Sequence, residues 1–263
     1  MLNKSEFILV YFPLSLVKNI EKVNRKKGTK FYTSENDEYK YWDKEFQKAV
    51  VVKSSLDQKV RMGFSVEAKA LTSADWNFKM KATLRKGLLN KLNSSVTVVK
   101  NLVKRIHETP GNKVVVFSAL TDQADKLGFP TFHGKSNSTE KSLDSLNEGK
   151  INTLAVCKAV NRGVNLVGVN YIIREGYDSS EVDFNQIHGR LMRLKADQIG
   201  KFIVLIPTYE DWVKTESGSM KKITIKTQAA KWAEKQMTSF DTTGMIRSIT
   251  LDSTLQIKEG ITL

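Results

Sequence analysis

The chain has 263 residues, 40% hydrophobic and 27% charged, values of a globular protein long enough to bury a substantial core in one or two domains. A net charge of +14 and a pI near 9.6 point to a polyanionic partner, nucleic acid before membrane. The single cysteine, Cys157, excludes an intramolecular disulfide and a multi-cysteine zinc site, and His107, His133 and His188 have no ligand spacing, so no metal site is expected. No run of about 18 apolar residues and no signal-peptide pattern occurs, so no membrane span and a reducing, cytoplasmic compartment are expected.

In chain order, residues 7–12 read as a buried strand stopped by Pro13. Ser15 to Lys27 reads as a short basic helix or loop in which Lys18, Lys22, Arg25, Lys26 and Lys27 crowd together. Thr33-Ser34 ahead of Asp37 and Glu38 is a helix start, and the helix is expected from Glu35 to about Lys53. Tyr39, Trp42, Phe46 and Val50 form its buried stripe, a core pattern in preference to a base-stacking platform. Phe64 to Asn93 predicts more helix, with Leu84, Leu88, Leu89 and Leu92 inward and Lys79, Lys81, Arg85, Lys86 and Lys91 outward. A further helix, Val96 to Glu108, leads to the break Thr109-Pro110-Gly111 and closes a mostly helical, basic part, 1–109.

After that break the apolar runs stop alternating. They fall at Val114 to Phe117, Thr131 to Phe132, Thr153 to Val156, Tyr171 to Ile173 and Phe202 to Ile206, with helical segments around Asp122 to Leu127, Glu140 to Asn147 and Val182 to Leu194. Such runs joined by helices indicate a parallel sheet covered on both faces, which gathers functional loops at the carboxyl edge of its strands. Ser118, Gly134, Cys157-Lys158 and Glu175-Gly176 all follow strands and belong to that edge. This core is expected to span 110–208. The extension, 209–263, predicts a helix at Thr227 to Met237, a turn at Thr242-Thr243-Gly244 and short strands at Ile246 to Leu251 and Leu255 to Ile257.

The segment Phe184 to Leu194 carries the most chemistry. At about 100° per residue, Gln186, Arg190 and Arg193 share one helix face beside Gly189, while Phe184, Ile187, Leu191 and Leu194 share the other. Two guanidiniums, an amide and a bare backbone patch suit a phosphate, since each guanidinium offers a planar fork of donors. On the helix alone, an amphipathic helix with two solvated arginines is the plainer account.

Gln186-x-x-Gly189-Arg190-x-x-Arg193 resembles the sixth motif of superfamily 2 helicases. Cys157-Lys158-Ala-Val-Asn-Arg-Gly163-Val-Asn165 resembles their fifth motif, Lys113 to Ser118 their fourth, and Phe132-His133-Gly134 with the Ser/Thr-rich turn after it also fits. The order and spacing of four signals give the match its strength. It covers Lys113 to about Pro207 and extends loosely back to Ile8. The resemblance implies the C-terminal, second RecA-like domain of a DEAD/DEAH-type DNA helicase: an α/β fold, a parallel sheet sandwiched by helices, with a helical N-terminal segment and a small C-terminal extension. It implies that Arg190 and Arg193 are arginine fingers reaching ATP on a neighbouring motor domain and that Gln186 senses the nucleotide. Gly163, Asn165 and Gly189 belong by the same implication to the nucleotide-coupling surface. Ser118, Gly134, Lys135, Cys157 and Lys158 are the implied contacts to a nucleic acid backbone, DNA in single-stranded or branched form, with RNA an open alternative. For Ser118 and Cys157, strand-end packing is the plainer reading of the residues alone.

Two departures stand out. Cys157 occupies a place where the family usually has Thr, conserving volume with a poorer hydrogen-bonding group. ATP hydrolysis in this class also needs Gly-x-x-x-x-Gly-Lys-Ser/Thr and an acidic Mg²⁺ motif, and neither is present. Gly128 to Ser136 has one residue too many between its glycines, and Phe129, Pro130 and Phe132 spoil a phosphate cradle. The expectation is a second motor half whose ATP and Mg²⁺ are held mainly by a first RecA-like domain on a separate chain. A phage or plasmid-like origin, with residence in the host cytoplasm, goes with such a split. The alternatives are a non-catalytic nucleic-acid-binding module and an interaction protein keeping only the fold.

Overall fold

The computed structural model describes residues 5–24, 26–134, 139–157, 166–176, 199–237, 246–258, 260–261 and 263. They form two compact units, one from residues 1–14 and 90–263 and the other from 15–89. The break that the sequence predicts at 109 falls inside the larger unit, so the helix before it belongs with the sheet.

The larger unit is a mostly parallel sheet. Its strands are β1 (Ser5–Pro13), β4 (Val114–Ser118), β5 (Thr131–Phe132), β6 (Thr153–Cys157), β7 (Tyr171–Arg174), β8 (Gly200–Lys214), β9 (Met220–Lys226) and β10 (Ile246–Thr250). The order is β10-β1-β8-β7-β4-β6-β5, all parallel, with β9 antiparallel to the far half of β8. β4, β6 and β7 are buried at every position, as strands covered on both faces must be. One face packs Phe7, Val115, Leu154, Ile172 and Phe202 under α5 (Thr139–Asn147) and α6 (Gln228–Met237), through Leu146, Ala230, Ala233 and Met237. On the other side α3 (Asn93–His107) buries Val98, Val99, Leu102, Val103 and Ile106, a stripe at helical spacing, and α4 (Thr121–Lys126) packs beside β4 and β6. This is the RecA-like α/β architecture that the motif order implies.

The smaller unit pairs β2 (Ile20–Val23) with β3 (Lys30–Thr33) ahead of two helices, α1 (Glu35–Arg61) and α2 (Ala68–Leu89). The basic stretch expected as helix or loop is thus half a hairpin. Its turn is closed by Asn24, whose side-chain oxygen accepts from the Lys26 and Lys27 amides. Ser34 caps α1 by accepting from the Asp37 amide at 3.1 Å. The two helices run antiparallel, with Phe46 and Phe78 ring centroids 5.3 Å apart. Here the inward and outward assignment needs correction. Leu84 is 40% exposed, whereas Arg85 is only 5% exposed. Arg85 pairs with Asp43 of α1 and stacks its guanidinium 3.8 Å from the Phe46 ring centroid, so an ion pair and a ring draw inward a side chain that its charge would leave outside. A second correction concerns Leu255 to Ile257, which is no strand. Leu255 has φ +56°, and its amide donates to Asp252 O at 3.1 Å in a turn.

Candidate functional site at the carboxyl edge of the sheet

Parallel register puts the ends of β4, β6 and β7 side by side. Ser118 is opposite Cys157, and Phe117 is opposite both Val156 and Arg174. Side chains alternate across a strand, so Ser118, Cys157 and Glu175 share the α3 face of the sheet, and Arg174 takes the other. Arg174 is buried there, its Nε donating to Gly176 O at 3.2 Å and its guanidinium to Gln236 Oε1 of α6 at 3.1 Å.

Glu175 is the centre of this edge. It is 2% exposed, and its carboxylate meets three neutral side chains from three elements. Ser118 Oγ of β4 donates to Oε2 at 2.5 Å, while Ser95 Oγ of α3 and Gln123 Nε2 of α4 donate to Oε1 at 2.7 and 2.8 Å. Burial pushes the Glu175 carboxyl above the usual carboxylate range, against the hydrogen bonds from Ser118, Ser95 and Gln123 and the charge of Lys126. The Ser95 hydroxyl has one proton but faces two acceptors, Leu92 O at 2.9 Å and Glu175 Oε1 at 2.7 Å. Gln123 Nε2 also donates to Leu92 O, at 2.6 Å, so the carboxyl, Ser95 and Gln123 share one buried network.

The backbone at the same point is as tightly fixed. The Glu175 and Gly176 amides both donate to Phe117 O, at 3.0 and 3.1 Å. A Cβ at Gly176 would lie 2.5 Å from Ala119 N and 2.9 Å from its Cα, so only glycine lets the loop after β7 cross the loop after β4. The motif reading singled out Glu175-Gly176 only as a strand end. It missed Ser95 and Gln123, whose sole sequence signal is a polar residue in an otherwise buried helical setting.

Of the expected nucleic-acid contacts, Ser118 and Cys157 have buried side chains at this edge, 5% and 3% exposed. Gly134 is exposed, with open space where a Cβ would project. Its neighbour His133 turns inward instead, Nε2 lying 2.9 Å from Asp125 Oδ1. Lys135, Lys158, Gly163, Asn165, Gln186, Gly189, Arg190 and Arg193 lie outside the described residues. The described part of the edge does not itself make a nucleotide site. Glu175 is sealed, and both its oxygens are engaged by protein donors, so it is no ligand for Mg²⁺ there.

Residues 79–195 match the family model of the helicase conserved C-terminal domain. That interval contains the fourth, fifth and sixth motif-like segments as well as Ser95, Ser118, Gln123 and Glu175. No curated protein matches the chain significantly. Among solved structures, the C-terminal part of the Fun30 ATPase domain is 14% identical, with 94% of this chain and 100% of that one covered and a TM-score of 0.46. The C-terminal domain of the DEAD-box protein Dbp5 is 13% identical over 61% of this chain and 84% of its own, at a TM-score of 0.43. The E. coli DEAD-box protein SrmB, in its complex with the regulator RraA, is 17% identical over 43% of this chain and 71% of its own, at 0.36. Superpositions this loose carry no functional argument; the fold rests on the strand order described above.

Proposed function

We propose that this chain is the second motor domain of an ATP-dependent superfamily 2 DNA helicase or translocase. A first RecA-like domain on another polypeptide holds ATP and Mg²⁺. Arg190 and Arg193 then complete the site by placing guanidiniums against the charge that builds on the transferring phosphoryl group, with Gln186 beside them. ATP supplies the phosphoryl chemistry. Gly163, Asn165 and Gly189 line the coupling surface between the two domains. Gly134, Lys135 and Lys158 contact the nucleic acid backbone.

The observation that carries this reading is the helicase C-terminal match over residues 79–195, an interval that contains the ordered motif set. The intact Gln186, Gly189, Arg190 and Arg193 favour a motor over a passive binding module, because plain backbone binding has no use for paired guanidiniums placed for a phosphoryl group. The test is ATP hydrolysis by the chain reconstituted with a first motor domain on single-stranded DNA. Arg190→Ala is expected to lower kcat by about a thousandfold. Turnover unchanged by that substitution would leave only the passive reading.

A further inference from the structure

β8 does not stop where the parallel sheet stops. Its last pairing with β1 is Thr208 to Pro13, and its last with β7 is Val204 to Arg174. Among the described residues it then continues to Lys214 paired only with β9, so a two-stranded ribbon runs about 20 Å past the carboxyl edge of the sheet. The far end is closed by Thr215, whose amide donates to Ser219 O at 2.8 Å, and by Gly218 with φ +84°.

The two faces of this ribbon differ. Cross-strand partners share a face, which puts Tyr209, Asp211 and Val213 with Ile225, Ile223 and Lys221. The opposite face has Glu210, Trp212 and Lys214 with Thr224, Lys222 and Met220, and Lys226 lies at its base opposite Thr208. Trp212 is 58% exposed and Met220 57%. Lys222 lies directly across from Trp212 and pairs with Glu210, while Lys226 pairs with Glu234 at 2.9 Å. The Lys222 and Lys226 side chains are 45% and 58% exposed, so each still faces solvent from which a further anion can approach. One large aromatic ring with lysines before, beside and beyond it, against the carboxylates of Glu210 and, at the base, Glu234, is complementary to a chain of stacked rings and phosphates. A generally apolar protein partner would meet too many ammonium groups here.

We infer that this ribbon face is a binding site for single-stranded nucleic acid, with Trp212 stacking on a base and Lys214 and Lys222 contacting the flanking phosphates. The assignment does not depend on the motor reading, since it involves neither ATP nor Arg190.

The test compares binding of fluorescein-labelled oligo-dT and of an abasic sugar-phosphate oligomer of equal length to the full chain. Wild type should prefer the oligomer with bases by about tenfold, Trp212→Phe should keep most of that preference, and Trp212→Ala should erase it. Lys214→Glu with Lys222→Glu should weaken both oligomers and flatten the dependence of log K on log salt by about one to two. Trp212→Phe and Trp212→Ala should unfold at the wild-type temperature, because Trp212 is 58% exposed. Equal binding of both oligomers by wild type, or a base preference that survives in Trp212→Ala, would overturn the assignment. An unchanged Arg190→Ala turnover would leave it untouched.

Discussion

Three donors converge on Glu175 from α3, β4 and α4, and their loss has a definite cost. Glu175→Ala leaves buried hydroxyl and amide groups unsatisfied and is expected to destabilise the larger unit by about 2–3 kcal/mol, measured by denaturant unfolding. Glu175→Gln keeps the shape and removes the titration. Because the folded carboxyl sits above its ordinary range, its stabilising contribution is full below that range and is lost as pH rises through the folded value. Wild type should therefore lose thermal stability relative to Glu175→Gln as pH increases across this window; parallel melting curves for the two proteins would contradict the burial argument. Gly176→Ala drives a methyl into the Ala119 backbone, with an expected cost of about 1–3 kcal/mol. None of this is visible from the sequence around Glu175. Ser95 lies 80 residues and Gln123 52 residues away, and only the packed fold reveals that they share a carboxylate.

At the level of elements, the buried strands were the most legible part of the chain. Val114 to Phe117, Thr153 to Val156 and Tyr171 to Ile173 are apolar runs whose pattern has no competing explanation, and each forms a strand with at most one added residue. Elements depending on a partner were harder to read. β2 exists because β3 pairs with it, and Lys22 in a basic cluster gives no sign of that. The sequence predicts no element over the outer half of β8 or over β9, although Ile223 and Ile225 alternate as a one-sided strand should. The charge of Arg85 predicts solvent exposure, but Asp43 and the Phe46 ring offset the cost of its burial. A double-mutant cycle of Asp43→Ala and Arg85→Ala should show a coupling of about 1–2 kcal/mol. Coupling near zero would make the Phe46 stacking, and not the ion pair, the reason Arg85 lies inward.

For the molecule as a whole, the motor reading joins a fold established by strand order to chemistry carried by residues 184–194, which lie outside the described residues. The proposed chemistry rests on motif order alone, because stabilising charge on a phosphoryl group needs particular side chains at particular spacings, whereas the surrounding sheet tolerates many apolar choices. Nucleic acid binding should be strongly salt-sensitive, since a chain of charge +14 binds a polyanion largely through counterion release. The most direct measurement is steady-state ATP hydrolysis by the chain combined with a first motor domain, on single-stranded DNA, with wild-type protein and Arg190→Ala. The account predicts DNA-stimulated turnover that falls about a thousandfold in the variant while DNA binding persists. Equal turnover by the two proteins would contradict it, and Arg190 would then be a solvated side chain on an amphipathic helix.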